Sequence, residues 1–250
     1  MGVSNREWYK ESFGEDYLRI YSHRDEKSAF DEARFAIDAL GIGKSDRVLD
    51  LCCGAGRHSM LFAKIGVRLI GLDLSAFLLE QGRLNGLESG VCTPLVRGNM
   101  LELPFKDSCF DAVVNFFTSL GYFSRDEDNL HVLSEIRRVL AHGGRFMADL
   151  INAEHLVKTL KPQTVRKKEG LVIAEKRWLA NGRVSKHIKI TEGEISCEYD
   201  ESVRLYSPGE ITAMLKSVGL CVERMYGDLE GSDFTKTSPR MVIIGSVAGS

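Results

Sequence analysis

The sequence of 250 residues lacks any apolar run approaching the roughly 18 residues that a membrane-spanning helix requires. Its first residues lack the apolar core of a secretion signal, and Arg6 stands where a myristoylation signal has serine or threonine. Internal repeats and low-complexity segments are also absent. We therefore expect a globular cytoplasmic protein that neither crosses nor is anchored to a membrane.

The chain has no excess of charge of either sign, since 33 Lys and Arg face 35 Asp and Glu. This balance gives no overall electrostatic footprint for nucleic acid, so we do not expect a nucleic-acid partner. The six cysteines show no paired C-x-x-C spacing, which argues against a metal site and indicates reduced, structural thiols. The length suits one large domain with an insertion, as a monomer or a homodimer.

The most informative pattern covers residues 48–58, where an apolar run ends in an acid and enters a glycine turn. A second apolar run ends at Asp73, about 20 residues later, as in a nucleotide-binding βαβ unit. Gly54 and Gly56 carry no Cβ, so the backbone there can turn sharply and approach a ligand closely. Asp73 can accept hydrogen bonds from both hydroxyls of a ribose. The pattern predicts a nucleoside site.

Two kinds of nucleoside ligand remain open at this point. A dinucleotide fingerprint would have its third glycine where this chain has Ser59, although that pattern tolerates small substitutes. The D-x-x-x-G-x-G form from Asp50 to Gly56 is instead the first motif of class I S-adenosylmethionine-dependent methyltransferases. Three later segments match the same family in order and spacing, namely 98–100, 110–115 and the "LKPGG"-like turn at 140–146. The chain therefore resembles that family, and an NAD-dependent oxidoreductase is the more distant alternative.

The resemblance implies an α/β fold, a doubly wound, Rossmann-like and mainly parallel seven-stranded sheet. It also implies S-adenosylmethionine as the cofactor, without a metal. The cofactor-binding residues that it implies are Asp50, Cys52, Gly54, Gly56, Arg57, Asp73, Leu74, Asn99, Met100 and Asn115. Cys52 replaces the glycine that is common in the family. We therefore expect this loop to sit slightly differently against the methionine part of the cofactor.

Changes in composition and periodicity divide the chain into an N-terminal helical cap (1–43), a Rossmann-like domain (44–161 and 207–250) and an inserted lid (162–206). In the lid, alternating residues and the dipeptide Asn181-Gly182 predict antiparallel strands joined by a hairpin. Helices are predicted over 29–40 and 128–140. Another helix is expected to begin after Ser75 and to end near Gly86. A further helix should begin at 207–210, before two closing strands.

Residues 115–123 resemble the "S-x-GY" segment of small-molecule methyltransferases that include antibiotic-sugar N,N-dimethyltransferases. These enzymes carry an antiparallel β-lid, and their "YD-x-x-Y" element is similar to residues 16–21, although here the acid precedes the first tyrosine. The resemblance implies that Tyr17 or Tyr122 touches the reacting centre and that the lid covers the acceptor. Further candidates for contact with the acceptor are Tyr21, Ser119, Arg204, Tyr206 and Arg240.

The chemistry of this cofactor limits what the protein must supply. Its sulfonium methyl group is already electrophilic, so collinear alignment with a nucleophile can provide much of the catalysis. A neutral amine needs no base, whereas a hydroxyl or carbon acid must lose a proton. We expect methyl transfer to a small molecule, with the acceptor atom left open among N, O and C. A methyltransferase acting on RNA or protein and a cofactor-binding protein without transfer activity are the alternatives.

Overall fold

The computed structural model describes residues 7–21, 26–168 and 170–249. Its helical elements are a 3-10 turn η1 (Trp8–Lys10), α1 (Glu15–Ile20), α2 (Glu26–Leu40), α3 (Arg57–Ile65), α4 (Ala76–Glu88), α5 (Asp126–Val139), α6 (Ala153–Thr159) and α7 (Pro208–Ser217). Its strands are β1 (Arg47–Leu51), β2 (Arg68–Asp73), β3 (Leu95–Arg97), β4 (Phe110–Asn115), β5 (Leu140–Ile151), β6 (Gln163–Lys168), β7 (Leu171–Ala180), β8 (Arg183–Glu192), β9 (Ile195–Arg204), β10 (Leu220–Tyr226) and β11 (Arg240–Val247).

Seven strands form the main sheet in the order β10-β11-β5-β4-β1-β2-β3. Strand β11 runs in the opposite direction to the other six strands of this sheet. The predicted doubly wound, mainly parallel α/β fold is therefore confirmed. The strand order reverses between β1 and β4, and ligands of such sheets bind outside the carboxyl ends of the strands at that switch point.

The main sheet is covered by helices on both faces, because its central strands are apolar on both sides. Leu49 of β1 belongs to the core cluster that includes residues of α5 and α7. Its neighbour Val48 belongs to the opposite cluster, which includes residues of α2 and α3. Adjacent residues of one strand thus feed two separate cores. This arrangement leaves the ends of the strands, rather than their faces, for a binding site.

Helix α4 begins where its predicted cap lies but does not end where predicted. Ser75 caps α4 as predicted, its hydroxyl accepting from the Leu78 N–H at 3.1 Å. The predicted end near Gly86 is wrong, because α4 continues to Glu88. Gly86 is instead a point of close approach, where an added Cβ would lie 2.6 Å from the Val91 carbonyl oxygen. The glycine thus allows the returning chain to pack against the helix rather than ending it.

The inserted segment forms a second sheet of four strands in the order β6-β7-β8-β9. Each strand is antiparallel to the next, as predicted for a lid. Asn181 and Gly182 both have positive φ, at 51° and 69°, which suits the tight turn between β7 and β8. Ile20 of α1 packs into an apolar cluster with Ile173 and Ile188 of this sheet. The sheet therefore holds the N-terminal helix α1.

Among the helices of the described residues, none combines the length and the apolar character needed to cross a membrane.

The start of α7 offers a test of the predicted capping box. The Ser207 hydroxyl accepts from the Glu210 N–H at 3.2 Å, and the Glu210 carboxylate accepts from the Ser207 N–H at 2.8 Å. We expect Ser207→Ala to lower the free energy of unfolding by about 1 kcal/mol, because the first turn loses an acceptor. Denaturant unfolding measures this, with Thr212→Ala in the exposed middle of the same helix as control. Equal stability of both variants would contradict the capping role.

Candidate active site

A cavity of about 580 Å³ opens at the carboxyl ends of β1, β2, β3 and β4, where the switch point places it. Its wall has two chemically different halves. The half that follows the strand ends is formed by Asp50, Cys52, Cys53, Gly54, Asp73, Leu74, Asn99 and Met100. The opposite half is rich in rings and includes Tyr9, Phe13, Tyr17, Tyr21, Phe116, Phe117, Tyr122 and Phe123.

Asp73 ties together the loops after β1 and β2. One carboxylate oxygen accepts from the Gly54 N–H and the other from the Ser75 N–H, both at 2.8 Å. Burial raises the pKa of Asp73, and these backbone hydrogen bonds oppose that rise. Each oxygen can accept more than one hydrogen bond. The carboxylate is therefore oriented by the backbone and retains capacity for two ligand hydroxyls.

The glycine turn has a left-handed backbone at Cys52, Gly54 and Gly56, with φ of 62°, 57° and 70°. Cys52 thus adopts a backbone conformation that favours glycine. The Cys52 Sγ lies 3.6 Å from the sulfur of Met100, across the floor of the cavity. Burial raises the pKa of the Cys52 thiol far above its ordinary value, so it remains protonated. These contacts identify Cys52 as a neutral packing residue of the cavity floor.

Asp50 is almost fully buried at the end of β1 and also lines the cavity. Its carboxyl group accepts from the Ser59 hydroxyl at 2.6 Å. Burial raises the pKa of Asp50 to about 7, and the nearby charge of Asp73 contributes in the same direction. The acid is therefore poised to change its charge when a cation enters the cavity.

Arg57 and His58 begin α3 and share the carboxylate of Glu32, which lies on α2. Arg57 contacts it at 3.2 Å and His58 at 2.7 Å, and both residues line the cavity. The His58 ring stacks on Phe116 at 4.0 Å with an angle of 5° between the planes. The Arg57 guanidinium lies over the ring of Phe117 at 5.2 Å. The Arg57 guanidinium is therefore a cation held in a fixed position at the cavity, beside the glycine turn.

The backbone after β4 is strained where it borders the cavity. Phe117 and Thr118 have φ of 57° and 58°, although neither is glycine. Such conformations cost on the order of 1–3 kcal/mol each and persist only where neighbouring groups hold them. The Asp149 carboxylate accepts from the Phe117 N–H at 2.8 Å, and Arg240 donates both to Asp149 and to the Thr118 hydroxyl. The strained turn presents Phe117 and Ser119 to the cavity.

The ring-rich half of the wall comes from the N-terminal segment and from the residues that follow β4. Tyr17 lies between Phe13 and Tyr21, with ring centroids 5.0 Å and 4.8 Å away. Tyr122, which follows β4, stacks on Phe13 at 5.9 Å. The sequence predictions omitted Tyr9 and Phe13, although both line the cavity. Their signal was a ring at every fourth residue from 9 to 21.

Two residues predicted to bind the cofactor do not form part of the cavity wall. Asn115 is buried, and its side-chain amide donates to the Leu51 carbonyl at 2.7 Å, which joins β4 to β1. Gly56 is buried behind the turn, where it occupies the N-cap position of α3. Direct contact of these two residues with a cofactor therefore stays a prediction. The two residues shape the strand ends and the turn.

Three residues predicted to face the acceptor also lie outside the wall. Arg204 pairs with Asp126 and Glu210 and covers the ring of Tyr206. Tyr206 is buried, and its hydroxyl donates to Asp126 at 3.2 Å. These contacts join the end of the inserted sheet to the main domain. Arg240 is engaged by Asp149, so the predicted contacts of all three with an acceptor are not supported by their positions.

That the inserted sheet covers the acceptor stays a prediction, and its described residues reach the cavity only indirectly. None of the described residues of β6 to β9 forms part of the cavity wall. The sheet acts through α1 instead. The Tyr21 hydroxyl donates to Glu201 of β9 at 3.0 Å, and Lys186 of β8 lies 4.9 Å from the Tyr21 ring. The inserted sheet thus supports the aromatic wall from behind.

Within the described ranges, no three His, Cys, Asp or Glu side chains cluster in an arrangement able to hold a metal ion.

Comparison with known proteins agrees with this geometry. Residues 48–144 match the family model described as "Methyltransferase domain". A 2-phytyl-1,4-naphtoquinone methyltransferase of Synechococcus elongatus is 38% identical over 118 residues, which cover 45% of this chain and 48% of that protein. The chain thus spans about half the length of the curated relatives it matches.

Solved structures resemble nearly the whole chain. An S-adenosylmethionine-dependent methyltransferase from Clostridium acetobutylicum has a TM-score of 0.80 at 18% identity, over 94% of this chain and 98% of that one. The sugar N-methyltransferase KedS8 from a Streptoalloteichus species has a TM-score of 0.70 at 18% identity, over 100% and 99%. The predicted family resemblance is confirmed: residues 48–144 match the methyltransferase domain, and the chain as a whole has the fold of S-adenosylmethionine-dependent methyltransferases.

Proposed function

We propose that this protein transfers a methyl group in line from S-adenosylmethionine to a small-molecule acceptor. The observation that carries the proposal is a single cavity with a backbone-anchored carboxylate, Asp73, on one side and a wall of aromatic rings on the other. The Asp73 side suits a ribose, and the aromatic wall suits an acceptor that must be shielded from water. The family match of residues 48–144 supports the same cofactor.

The strand-end half of the wall has a group for each part of the cofactor. In this proposal Asp73 accepts from the ribose hydroxyls. Asn99 and Met100 flank the adenine, with the Asn99 side-chain oxygen already held by the Leu101 N–H at 3.0 Å. Arg57, fixed by Glu32, faces the cofactor carboxylate. Asp50 offers a negative charge in the cavity that holds the positively charged methionine end.

The ring-rich half supplies alignment rather than a dedicated base. The rings of Tyr17 and Tyr122 exclude water, and their electron-rich faces stabilise a cationic centre. Either hydroxyl can hydrogen-bond the acceptor so that its nucleophilic atom faces the methyl group. Holding acceptor, methyl and sulfur collinear then provides much of the rate enhancement.

The acceptor in this proposal is a small molecule, and its nucleophilic atom is N, O or C. The relatives support a small-molecule acceptor, because their names include a quinone methyltransferase and a sugar N-methyltransferase. Acceptors as large as RNA or protein are less favoured, since the chain has no net positive charge. The cytoplasmic location, the three-part domain division and a monomeric or homodimeric state stay predictions.

Cofactor binding tests the first half of the proposal. We expect calorimetry to show binding of S-adenosylmethionine in preference to NAD, and Asp73→Ala to weaken it at least tenfold, because two ligand hydroxyls lose their acceptor. Asp233→Ala is the matched control, since Asp233 is exposed and pairs only with Arg224 among the described residues. Tight NAD binding without a response to S-adenosylmethionine would rule out the assignment.

The raised pKa of Asp50 predicts a proton linkage. S-adenosylmethionine carries a net positive charge, so its binding should lower the pKa of Asp50 from about 7 and release a proton near pH 6.5. Affinity should accordingly rise as the pH increases through about 7 and then level off. Calorimetry in buffers of different ionisation enthalpy measures the release. Asp50→Asn should abolish this proton release. If the number of protons released by the native protein on binding did not change with pH, this role of Asp50 would be contradicted.

Tyrosine hydroxyls are tested by removing them while keeping the rings. We expect Tyr17→Phe or Tyr122→Phe to reduce methyl transfer at least tenfold, equivalent to about 1.4 kcal/mol of barrier, with cofactor affinity unchanged. Transfer is measured from labelled S-adenosylmethionine into a metabolite extract. Tyr226→Phe is the control, because Tyr226 packs against Phe35 outside the cavity wall. Full activity of both variants would reject participation of either hydroxyl.

A further inference from the structure

The strained turn after β4 depends on two residues that lie outside the cavity. Asp149 belongs to β5, is fully buried and holds Arg240 of the neighbouring strand β11 at 2.7 Å. The antiparallel pairing of β5 with β11 fixes both side chains beside the end of β4. Their common feature is that their hydrogen bonds converge on Phe117 and Thr118, the two residues with left-handed backbone.

Four hydrogen bonds hold the turn in this conformation. The Asp149 carboxylate accepts from the Phe117 N–H at 2.8 Å, and its backbone carbonyl accepts from the Thr118 N–H at 3.0 Å and the Thr118 hydroxyl at 3.2 Å. Arg240 donates to the same hydroxyl at 2.8 Å. Strained backbone survives where the surroundings over-determine it, and here a buried ion pair and a strand backbone do so.

The consequence of the turn is the position of the Phe117 ring. This ring lines the cavity, with the Arg57 guanidinium at 5.2 Å and the His58 ring at 5.6 Å. Arg240 lies 5.9 Å from the same ring, outside the wall. An extended backbone at Phe117 would carry the ring away from these contacts. The ring-rich half of the cavity wall would then lose one of its rings.

We propose that the Asp149–Arg240 pair is a positioning device that locks the Phe117–Thr118 turn and thereby sets the acceptor side of the cavity. The proposal rests on the methyl-transfer function proposed above and deepens it. Neither residue of the pair forms part of the cavity wall, which they reach only through Phe117 and the Thr118 hydroxyl. Its loss should therefore change acceptor alignment while leaving cofactor binding in place.

The test removes both charges of the pair, so that neither is left buried without its partner. In Asp149→Leu/Arg240→Met both charges disappear together, a replacement that buried ion pairs often tolerate. The matched control is Arg47→Met/Asp111→Leu, which removes an ion pair of 2.9 Å at the opposite end of β4. A third variant adds Thr118→Gly to the first pair, because glycine adopts positive φ without support.

We expect the first variant to bind S-adenosylmethionine within about twofold of the native protein and to lose methyl transfer at least tenfold. The added glycine should restore transfer at least threefold, whereas the control pair should change it less than twofold. Transfer is measured with labelled S-adenosylmethionine and a metabolite extract, and folding by thermal unfolding. A glycine that restores nothing, or an equal loss of cofactor affinity, would show that the pair serves stability alone.

A crystal structure of the first variant decides the question without an acceptor. Relaxation of Phe117 to negative φ, with its ring displaced from Arg57, supports the positioning role. A left-handed turn that persists with the ring in place overturns it. If the native protein binds S-adenosylmethionine but methylates nothing in the extract, the proposed function fails while this structural result still decides the role of the pair.

Discussion

The double hydrogen bond of the Asp73 carboxylate is the contact on which the site depends. By accepting from Gly54 and Ser75 it fixes the glycine turn after β1 against the loop after β2. Parallel pairing of β1 with β2 brings the two loops to the same edge of the sheet, but pairing alone leaves them free to move apart. The buried carboxylate cannot be left without donors, since an unpaired charge in that position would be costly. Anchoring the loops and presenting acceptor oxygens to the cavity are therefore one and the same requirement.

The opposite wall is held in a different way. The rings of Phe13, Tyr17 and Tyr21 lie on a short N-terminal segment, and of these three only Phe13 packs against the core cluster of the main sheet. That segment gains support from the inserted sheet, through the apolar packing of Ile20 and the contact of Tyr21 with Glu201. The cavity thus combines a rigid floor, built on strand ends, with a wall that depends on an inserted element. Such a division suits an enzyme fold that keeps one cofactor while the acceptor changes.

Features that depend on near neighbours in the sequence were predictable, and those that depend on the tertiary structure were not. The turn at Asn181-Gly182 and the capping box at Ser207 follow from local backbone preferences, and both are present. Asp73 was predictable because its place at a strand end fixes its surroundings. By contrast, Arg204 and Tyr206 have the chemistry of a binding site, yet a distant residue, Asp126, determines their position. Composition cannot distinguish a polar residue that faces a cavity from one that joins two elements.

Residues with left-handed backbone border the cavity on two sides, and the same limit explains why the sequence did not predict their conformation. A sequence marks such positions only when glycine occupies them, as at Gly54, whereas Cys52, Phe117 and Thr118 carry no local sign of their backbone conformation. At Cys52 the gain is a sulfur packed against Met100, and at Phe117 it is a ring placed beside Arg57. Glycine would relieve the strain but remove the side chain that forms the wall. The protein retains the side chains because hydrogen bonds from the surrounding fold, above all those of Asp149, offset the strain where the wall needs a ring.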